Sequence, residues 1–367
     1  MSETKPIRRI AIIGTGVIGA SWTSLSLAKG LQVVATDPAP NAEASLRKFV
    51  ETALNPLHDP PSAPLVEVHA PSALLFPFEL IQVRPGDWPS AIRDRESLLR
   101  ACATFLGFSA AVRRVFTDMV GDEEGLDQSR ILRNRGRLRV TLFQEARTLE
   151  GARNEAAFFC KHGELFSLRT WPQEKSTAIA LGLAMQLWDS RAGLDGAKPQ
   201  LVADDIQHFA CHCATADPDP LQHAFRLAGE AGQLHIVTLG ELDANFGQVG
   251  QQATEDPPRP GPLVFLNACA SAAVSAGFGT SFVQWFLRNR NRGVIGTETL
   301  ISDTFAAAFA AHFYMTVLKR QPIGQALISA KHYMVRQHGN PLGIVYTMYA
   351  DPDLQVEIKV DEELLHE

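Results

Sequence analysis

Two short segments of this chain each end in a side chain that could take part in covalent chemistry. Residues 206–212 (IQHFACH) form an apolar run that ends in His212, and residues 263–269 (LVFLNAC) form a second run that ends in Cys269. Runs of this length and composition predict buried strands. Because ligands bind beyond the carboxyl ends of parallel strands, two neighbouring strands would bring His212 and Cys269 together at one edge of a sheet. A thiol beside an imidazole is the arrangement that a cysteine nucleophile needs.

The elements that must position these side chains alternate between strands and helices from residue 136 to residue 358. The predicted strands span residues 138–143, 166–170, 206–212, 234–239, 263–269, 293–296 and 343–349. The predicted helices span residues 149–162, 175–190, 221–231, 280–288, 303–320 and 323–337. This alternation indicates an α/β fold with a mainly parallel sheet and helices on both of its faces.

Residues 1–55 carry a separate pattern, that of a short Rossmann-like βαβ segment. A strand at residues 8–13 leads into Gly14, Gly16 and Gly19, and a second strand at residues 31–35 ends close to Asp37. The glycines would let a pyrophosphate approach the N-terminus of the intervening helix, and Asp37 would accept a hydrogen bond from a ribose hydroxyl.

This N-terminal segment resembles the start of NAD-dependent 3-hydroxyacyl-CoA dehydrogenases and their carnitine dehydrogenase relatives over about residues 6–50. The resemblance implies NAD as the cofactor that Gly14, Gly16, Gly19 and Asp37 could bind. A complete dinucleotide domain needs further βαβ units, and the strand-end histidine motif of that family is not recognisable downstream. An NAD-dependent dehydrogenase is therefore the weaker alternative for the whole chain.

Residues 56–135 predict a Pro-rich linker followed by an approach segment that is helical over residues 90–135. The sequence thus divides into three parts, with residues 136–358 forming the α/β domain. No pattern typical of catalysis occurs in the middle part.

The α/β domain resembles the CHAT family of caspase-like cysteine peptidases, which are related to separase. The resemblance rests on an ordered set of blocks between residues 74 and 356: PFEL (77–80), HFACH (208–212), LVFLNACAS (263–271), GVIGT (293–297), Asp303, FY (313–314), GQAL (324–327) and YTMYADPDL (346–354). It implies a caspase-like three-layer sandwich and a bacterial-type cysteine endopeptidase that needs no cofactor. It also implies a protein or peptide substrate, and a regulatory partner within a defence or signalling system.

Carried over by position, Cys269 matches the nucleophile of the family and His212 matches its dyad histidine. His208 matches a histidine within the strand, which we interpret as structural. The backbone N–H groups of Cys213 and Cys269 would stabilise the oxyanion of a thioester-forming reaction. The family usually has glycine at the position of Cys213, and a cysteine there loses the freedom of glycine at positive φ. A catalytically weak caspase-like interaction module is therefore the main alternative function.

Three acidic residues are candidates for lining a substrate cleft: Asp303, Glu298 and Asp217. Asp303 is also a candidate helix cap, together with Ser302. A metal site at residues 211–213 is disfavoured, because alternate residues of a strand point to opposite faces. We expect no metal ion.

The composition limits the remaining functions. The formal net charge is −6, which disfavours binding to nucleic acid or to an anionic membrane surface. The longest apolar run, residues 304–318, is shorter than a membrane span, and no signal peptide is recognisable. Five irregularly spaced cysteines favour a reducing, cytoplasmic location, and we expect Cys102 and Cys160 to lie on apolar helix faces as inert thiols.

Overall fold

A computed structural model describes most of the predicted α/β domain and two short strands near the N-terminus. The described residues are 9–13, 32–36, 64–71, 77–117, 131–134, 136–171, 188–189, 201–202, 204–215, 219–228, 233–250, 261–273, 281–289 and 291–358.

The N-terminal segment contains two parallel strands, β1 (Arg9–Ile13) and β2 (Gln32–Thr36), paired over their full length. Both strands agree with the prediction for a βαβ segment. Gly14, Gly16, Gly19 and Asp37 lie outside the described residues.

A mainly parallel sheet of eight strands forms the centre of the α/β domain. Its order is β3-β4-β16-β15-β14-β10-β6-β7. These strands are β3 (Leu65–Ala70), β4 (Ala111–Phe116), β6 (Leu138–Gln144), β7 (Phe166–Trp171), β10 (Ile206–Ala210), β14 (Leu263–Leu266), β15 (Gly293–Thr297) and β16 (Tyr346–Ala350). Only the β15–β16 pair within this sheet is antiparallel.

Helices cover both faces of this sheet, as predicted, and the chain therefore forms three layers. One face packs against α3 (Glu150–Lys161), α6 (Asp303–Leu318) and α7 (Ile323–His338). The other face packs against α4 (Leu239–Gly250) and α5 (Phe282–Arg288). Strand β14 shows why both faces are covered, because Phe265 belongs to the first apolar cluster whereas Val264 and Leu266 belong to the second.

A three-stranded antiparallel sheet follows directly on β10. It consists of β11 (His212–Ala214), β12 (Ala224–Ala228) and β13 (Leu234–Thr238). The helix predicted over residues 221–231 is wrong at β12. There Phe225 and Leu227 are buried while Arg226 is exposed, which is the two-residue period of a strand.

Residues 56–135 differ from the predicted linker and helical approach segment. Strands β3 and β4 extend the central sheet, and β5 (Ile131–Asn134) pairs with β17 (Gln355–Ile358). Only α1 (Arg95–Cys102) and the short α2 (Leu106–Ser109) are helical within the described part of this segment. The charged residues within β4 would also suit the exposed face of a helix. Pairing with β3 and β16 makes this segment a strand instead.

Two other predictions differ in their bounds. The strand predicted at residues 343–349 begins at Tyr346, after a 3₁₀ turn over Pro341–Val345. Most of the helix predicted at residues 175–190 lies outside the described residues, but β8 (Trp188–Asp189) pairs with β9 (Leu201–Val202). Among the residues that the structure describes, no helix has the length and apolar character to cross a membrane.

Candidate functional site

The strands that precede His212 and Cys269 are neighbours in the central sheet. Strands β10 and β14 pair in parallel from Ile206 opposite Leu263 to Phe209 opposite Leu266. His212 and Cys269 each lie three residues beyond this last pair. Their separation of 57 residues equals the offset of the register (266 − 209), so each follows its strand by the same number of residues at the same edge of the sheet.

His212 is positioned by a change of direction at the end of β10. Cys211 separates β10 from β11, and His212 is the first residue of β11, where it pairs with Arg226. The imidazole Nε2 lies 3.5 Å from the Thr148 Oγ1. Thr148 belongs to the loop that connects β6 to α3, and the adjacent β6 therefore contributes a third group to this edge.

Cys269 lies in a turn that follows β14. Its half-buried thiol is 3.4 Å from the carbonyl oxygen of Ile301, to which Sγ–H donates. The next residue, Ala270, has a φ of 52°, and its N–H donates to Thr299 O at 3.0 Å. A positive φ is costly for alanine, by roughly 1 kcal/mol, and such backbone strain is concentrated at functional sites.

A buried polar network lies directly behind the two strand ends. His208 Nδ1 is 2.7 Å from the Tyr314 hydroxyl, and His208 Nε2 pairs with the Glu155 carboxylate. Glu155 also accepts from Asn267 Nδ2 at 3.0 Å, and Tyr346 donates its hydroxyl proton to Asn267 Oδ1. His208 is thus a satisfied structural residue, in agreement with the sequence interpretation.

Three of the other cysteines have thiols in a desolvated environment. Desolvation raises the pKa of Cys102 to about 11, and it also raises the pKa of Cys211 and of Cys213. Cys160 is exposed, so its expected place on an apolar helix face is wrong. This residue lies on the solvent-exposed side of α3.

Cys213 is in the middle of β11, opposite Phe225. Among the described residues other than glycine, only Ala270 and Arg320 have a positive φ. Cys213 therefore has a strand conformation that does not require the backbone freedom of glycine.

Asp303 links two helices at this end of the sheet. Ser302 is the N-cap of α6, and its hydroxyl accepts from Phe305 N. The Asp303 carboxylate accepts at 2.8 Å from the N–H of Gly151, in the first turn of α3. The approach is so close that a Cβ at Gly151 would lie 2.1 Å from Asp303 O. Of the two candidate caps, Ser302 caps its own helix and Asp303 caps the neighbouring one.

Glu298 follows β15 and belongs to a buried charge cluster. It forms an ion pair with Arg114, which also pairs with Glu79. Burial raises the pKa of the Glu298 carboxyl, while Arg114 opposes this shift. The buried Lys331 lies in the same electrostatic environment and donates to Gly107 O at 3.0 Å. The Glu298 charge is therefore already compensated and is not a free negative charge for a substrate cleft.

The remaining sequence candidates give no site in the described structure. Asp217 lies outside the described residues. No group of three or more His, Cys, Asp or Glu side chains with metal-binding geometry occurs within the described ranges.

Sequence analysis did not identify Thr148, Glu145 or Glu155 as parts of this region. Glu145 and Thr148 lie beyond the end of β6, and Glu155 lies on α3. The one available signal was that β6 is also an apolar strand followed by polar residues, but the sequence does not specify which strand is its neighbour.

Two parts of the chain are similar to two different families of known proteins. Residues 164–353, which are 190 of the 367 residues, match the CHAT domain. Residues 9–68 match the NAD-binding domain of 3-hydroxyacyl-CoA dehydrogenase. This second match reaches into β3, which is part of the central sheet.

Individual relatives show the same division. L-carnitine dehydrogenase of Streptomyces coelicolor is 49% identical over 53 residues, which are 14% of this chain and 17% of that protein. A probable protease of Vitiosangium sp. is 32% identical over 107 residues, which are 29% of this chain and 14% of that protein. The chain thus spans about one sixth or less of the length of these relatives.

One solved structure with a similar fold is the separase–securin complex of Saccharomyces cerevisiae. The aligned region covers 72% of this chain and 15% of the chain in that structure, with 13% sequence identity and a TM-score of 0.41. The family assignment depends on the sequence match over residues 164–353, and it confirms the resemblance found in the sequence. This chain belongs to the CHAT domain family.

Proposed function

We propose that the chain is a caspase-like cysteine endopeptidase that cleaves a protein partner, with Cys269 as the nucleophile and His212 as the general base. The single observation that carries this proposal is the parallel pairing of β10 and β14, because each strand leads to one of these two residues three positions after the last pair. The probable protease among the relatives supports a peptide bond as the target.

In the proposed reaction, His212 accepts the thiol proton and Cys269 attacks the peptide carbonyl carbon. The tetrahedral intermediate collapses to a thioester as His212 donates that proton to the leaving amine. Water then attacks the thioester, with His212 again as the base, and the products are a carboxylic acid and the restored thiol.

Backbone N–H groups at Cys269 and Cys213 are the proposed donors to the oxyanion. One such donor contributes roughly 3–4 kcal/mol to stabilisation of the transition state. In the part of the chain that the structure describes, no carbonyl accepts a hydrogen bond from Cys269 N–H. Cys213 has ordinary strand geometry, so its side chain does not prevent its N–H from serving in this role.

Peptide-library profiling combined with a thiol-directed covalent probe tests the assignment. The wild type and the Cys160→Ala variant should cleave the same peptides, whereas Cys269→Ala should lose all cleavage. Cys160 is the matched control because it is an exposed cysteine outside the site. Mass spectrometry should locate the activity-blocking label on Cys269. Undiminished cleavage by Cys269→Ala would refute the proposal.

One observation favours a second function, that of a caspase-like interaction module with weak or no catalysis. The Cys269 thiol donates to Ile301 O, and this hydrogen bond must break before Cys269 can attack a substrate. In that case the wild type would cleave no library peptide, and Cys269→Ala would retain every partner interaction and phenotype of the wild type.

A further inference from the structure

We propose that Thr148, held by Glu145, is a positioning residue that fixes the tautomer of His212. Its hydroxyl accepts the proton on Nε2, so Nδ1 is the nitrogen that accepts the thiol proton of Cys269. This inference rests on the proposed function, to which it adds a third and a fourth residue.

The order of the strands supplies the first argument. Strands β14, β10 and β6 are consecutive neighbours and all parallel. Cys269, His212 and Thr148 follow these three strands, respectively, at their carboxyl ends. The nucleophile, the base and the orienting hydroxyl therefore follow consecutive strands along one sheet edge. This order matches a catalytic arrangement in which a third group orients the base.

Hydrogen bonds tie the loop of Thr148 to the strand of His212. Gln144, the last residue of β6, pairs with Ala210, the last residue of β10. The next residue, Glu145, donates its N–H to Ala210 O at 3.0 Å. The loop and the start of β11 are thus held by the same strand end, two residues before His212.

The Glu145 carboxylate fixes the conformation of the loop. Glu145 is only 2% exposed. Its Oε1 accepts from the N–H of Arg147 at 3.1 Å, and its Oε2 accepts from the N–H of Thr148 at 3.1 Å. The Thr148 hydroxyl also contacts Oε2 of the same carboxylate. A buried carboxylate with these donors holds the threonine side chain in one orientation.

The number of protons then determines the tautomer. A threonine hydroxyl has one proton, and an ionised carboxylate can only accept. The Thr148 proton therefore points to Glu145, and a lone pair of Oγ1 faces His212 Nε2 at 3.5 Å. Nε2 can form a hydrogen bond with that lone pair only when it carries a proton. In the neutral imidazole Nδ1 is then unprotonated and can act as the base.

The test uses the full chain and three variants at positions 148 and 145. Thr148→Val keeps the shape of the side chain but removes the hydroxyl, and Thr148→Ser keeps the hydroxyl. The third variant is Glu145→Gln. Long-range proton–nitrogen NMR of ¹⁵N-histidine-labelled protein reports the tautomer, and the His212→Asn variant identifies the His212 signals. Peptide cleavage reports kcat and KM, and circular dichroism verifies that each variant is folded.

We expect a single Nε2–H tautomer for His212 in the wild type and in Thr148→Ser, and a mixture in Thr148→Val and Glu145→Gln. The kcat of Thr148→Val should fall on the order of 10- to 100-fold, because misorientation of a catalytic group has effects of this size, with KM unchanged. A rescue by Thr148→Ser supports positioning rather than a general structural role.

The proposal is overturned if folded Thr148→Val retains the wild-type tautomer, or if the wild type itself has the proton on Nδ1. The NMR experiment requires no turnover. If the wild type cleaves nothing but shows the Nε2–H tautomer that Thr148→Val loses, the proposed function fails while the positioning role of Thr148 stands.

Discussion

Removal of His208 should destabilise this protein strongly, because it leaves the buried carboxyl group of Glu155 without one of its hydrogen-bond partners. His208 is 0% exposed and Glu155 is 4% exposed. In His208→Leu, Glu155 would retain only its bond from Asn267 Nδ2. Breaking a buried pair from one side costs about 3–5 kcal/mol of unfolding free energy, whereas replacing both partners by apolar side chains costs much less.

A double-mutant cycle separates this effect from loss of packing. We expect His208→Leu and Glu155→Leu each to lower the free energy of unfolding, by about 3–5 kcal/mol for the histidine variant. The double variant should cost less than the sum of the two, by about 2 kcal/mol, since the second change removes the stranded group. Tyr314 and Asn267 still lose a partner each, so the double variant does not recover the wild-type stability.

The chain contains a matched control in the pair of His69 and Glu67. Their side chains are 39% and 32% exposed, and His69 Nε2 lies 3.4 Å from Glu67 Oε2. This pair therefore has the same residue types as His208 and Glu155 but is in contact with solvent. His69→Leu should change the free energy of unfolding by no more than about 1 kcal/mol. Urea unfolding followed by far-UV circular dichroism gives both values. A loss below 1 kcal/mol for His208→Leu, or strict additivity in the cycle, would refute the reasoning.

Two further predictions concern the buried lysine and the N-terminal segment. Burial lowers the pKa of Lys331 from 10.5 to about 8, so the penalty for its charge is fully present below pH 8 and is relieved as the pH rises to 10.5. Between pH 8 and pH 10.5 the free energy of unfolding of the wild type should therefore rise relative to that of Lys331→Met, by up to about 3 kcal/mol. Urea titrations at a series of pH values measure this difference. Parallel pH profiles for the two proteins would contradict the prediction. Residues 9–68 match only one short segment of a dehydrogenase. Calorimetric titration of the protein with NAD should therefore show at most weak binding, and an assay with NAD and carnitine should show no dehydrogenation. Turnover of NAD would contradict this prediction.

The parts of the fold that sequence predicted well are those with a strong local pattern. Strand β14 is a continuous apolar run, which is typical of a strand that is covered on both faces. Strand β12 was missed because its leucine and alanine content also suits a helix, and pairing on both sides decides its conformation.

The candidate site was predictable only in part, for a related reason. The strand ends identified His212 and Cys269 as candidates, because each lies at the end of a largely apolar run. Thr148 and Glu145 were missed because their roles depend on which strand lies beside β10, and the sequence does not specify that β6 is the neighbour. The ion pair of Glu298 was not predicted, because its partner, Arg114, is on a strand that was predicted to be helical.

Sheet geometry also determines which spacings in the sequence constrain the site. The crossover between β10 and β14 can change in length without moving either strand end, so the separation of 57 residues is not itself required. The three-residue spacing from Phe209 to His212, and from Leu266 to Cys269, is different. Adding one residue within either spacing displaces the side chain beyond the strand end by up to about 3.3 Å. An insertion in a loop of the crossover should therefore preserve the proposed peptide cleavage, whereas a single insertion after Phe209 or Leu266 should abolish it.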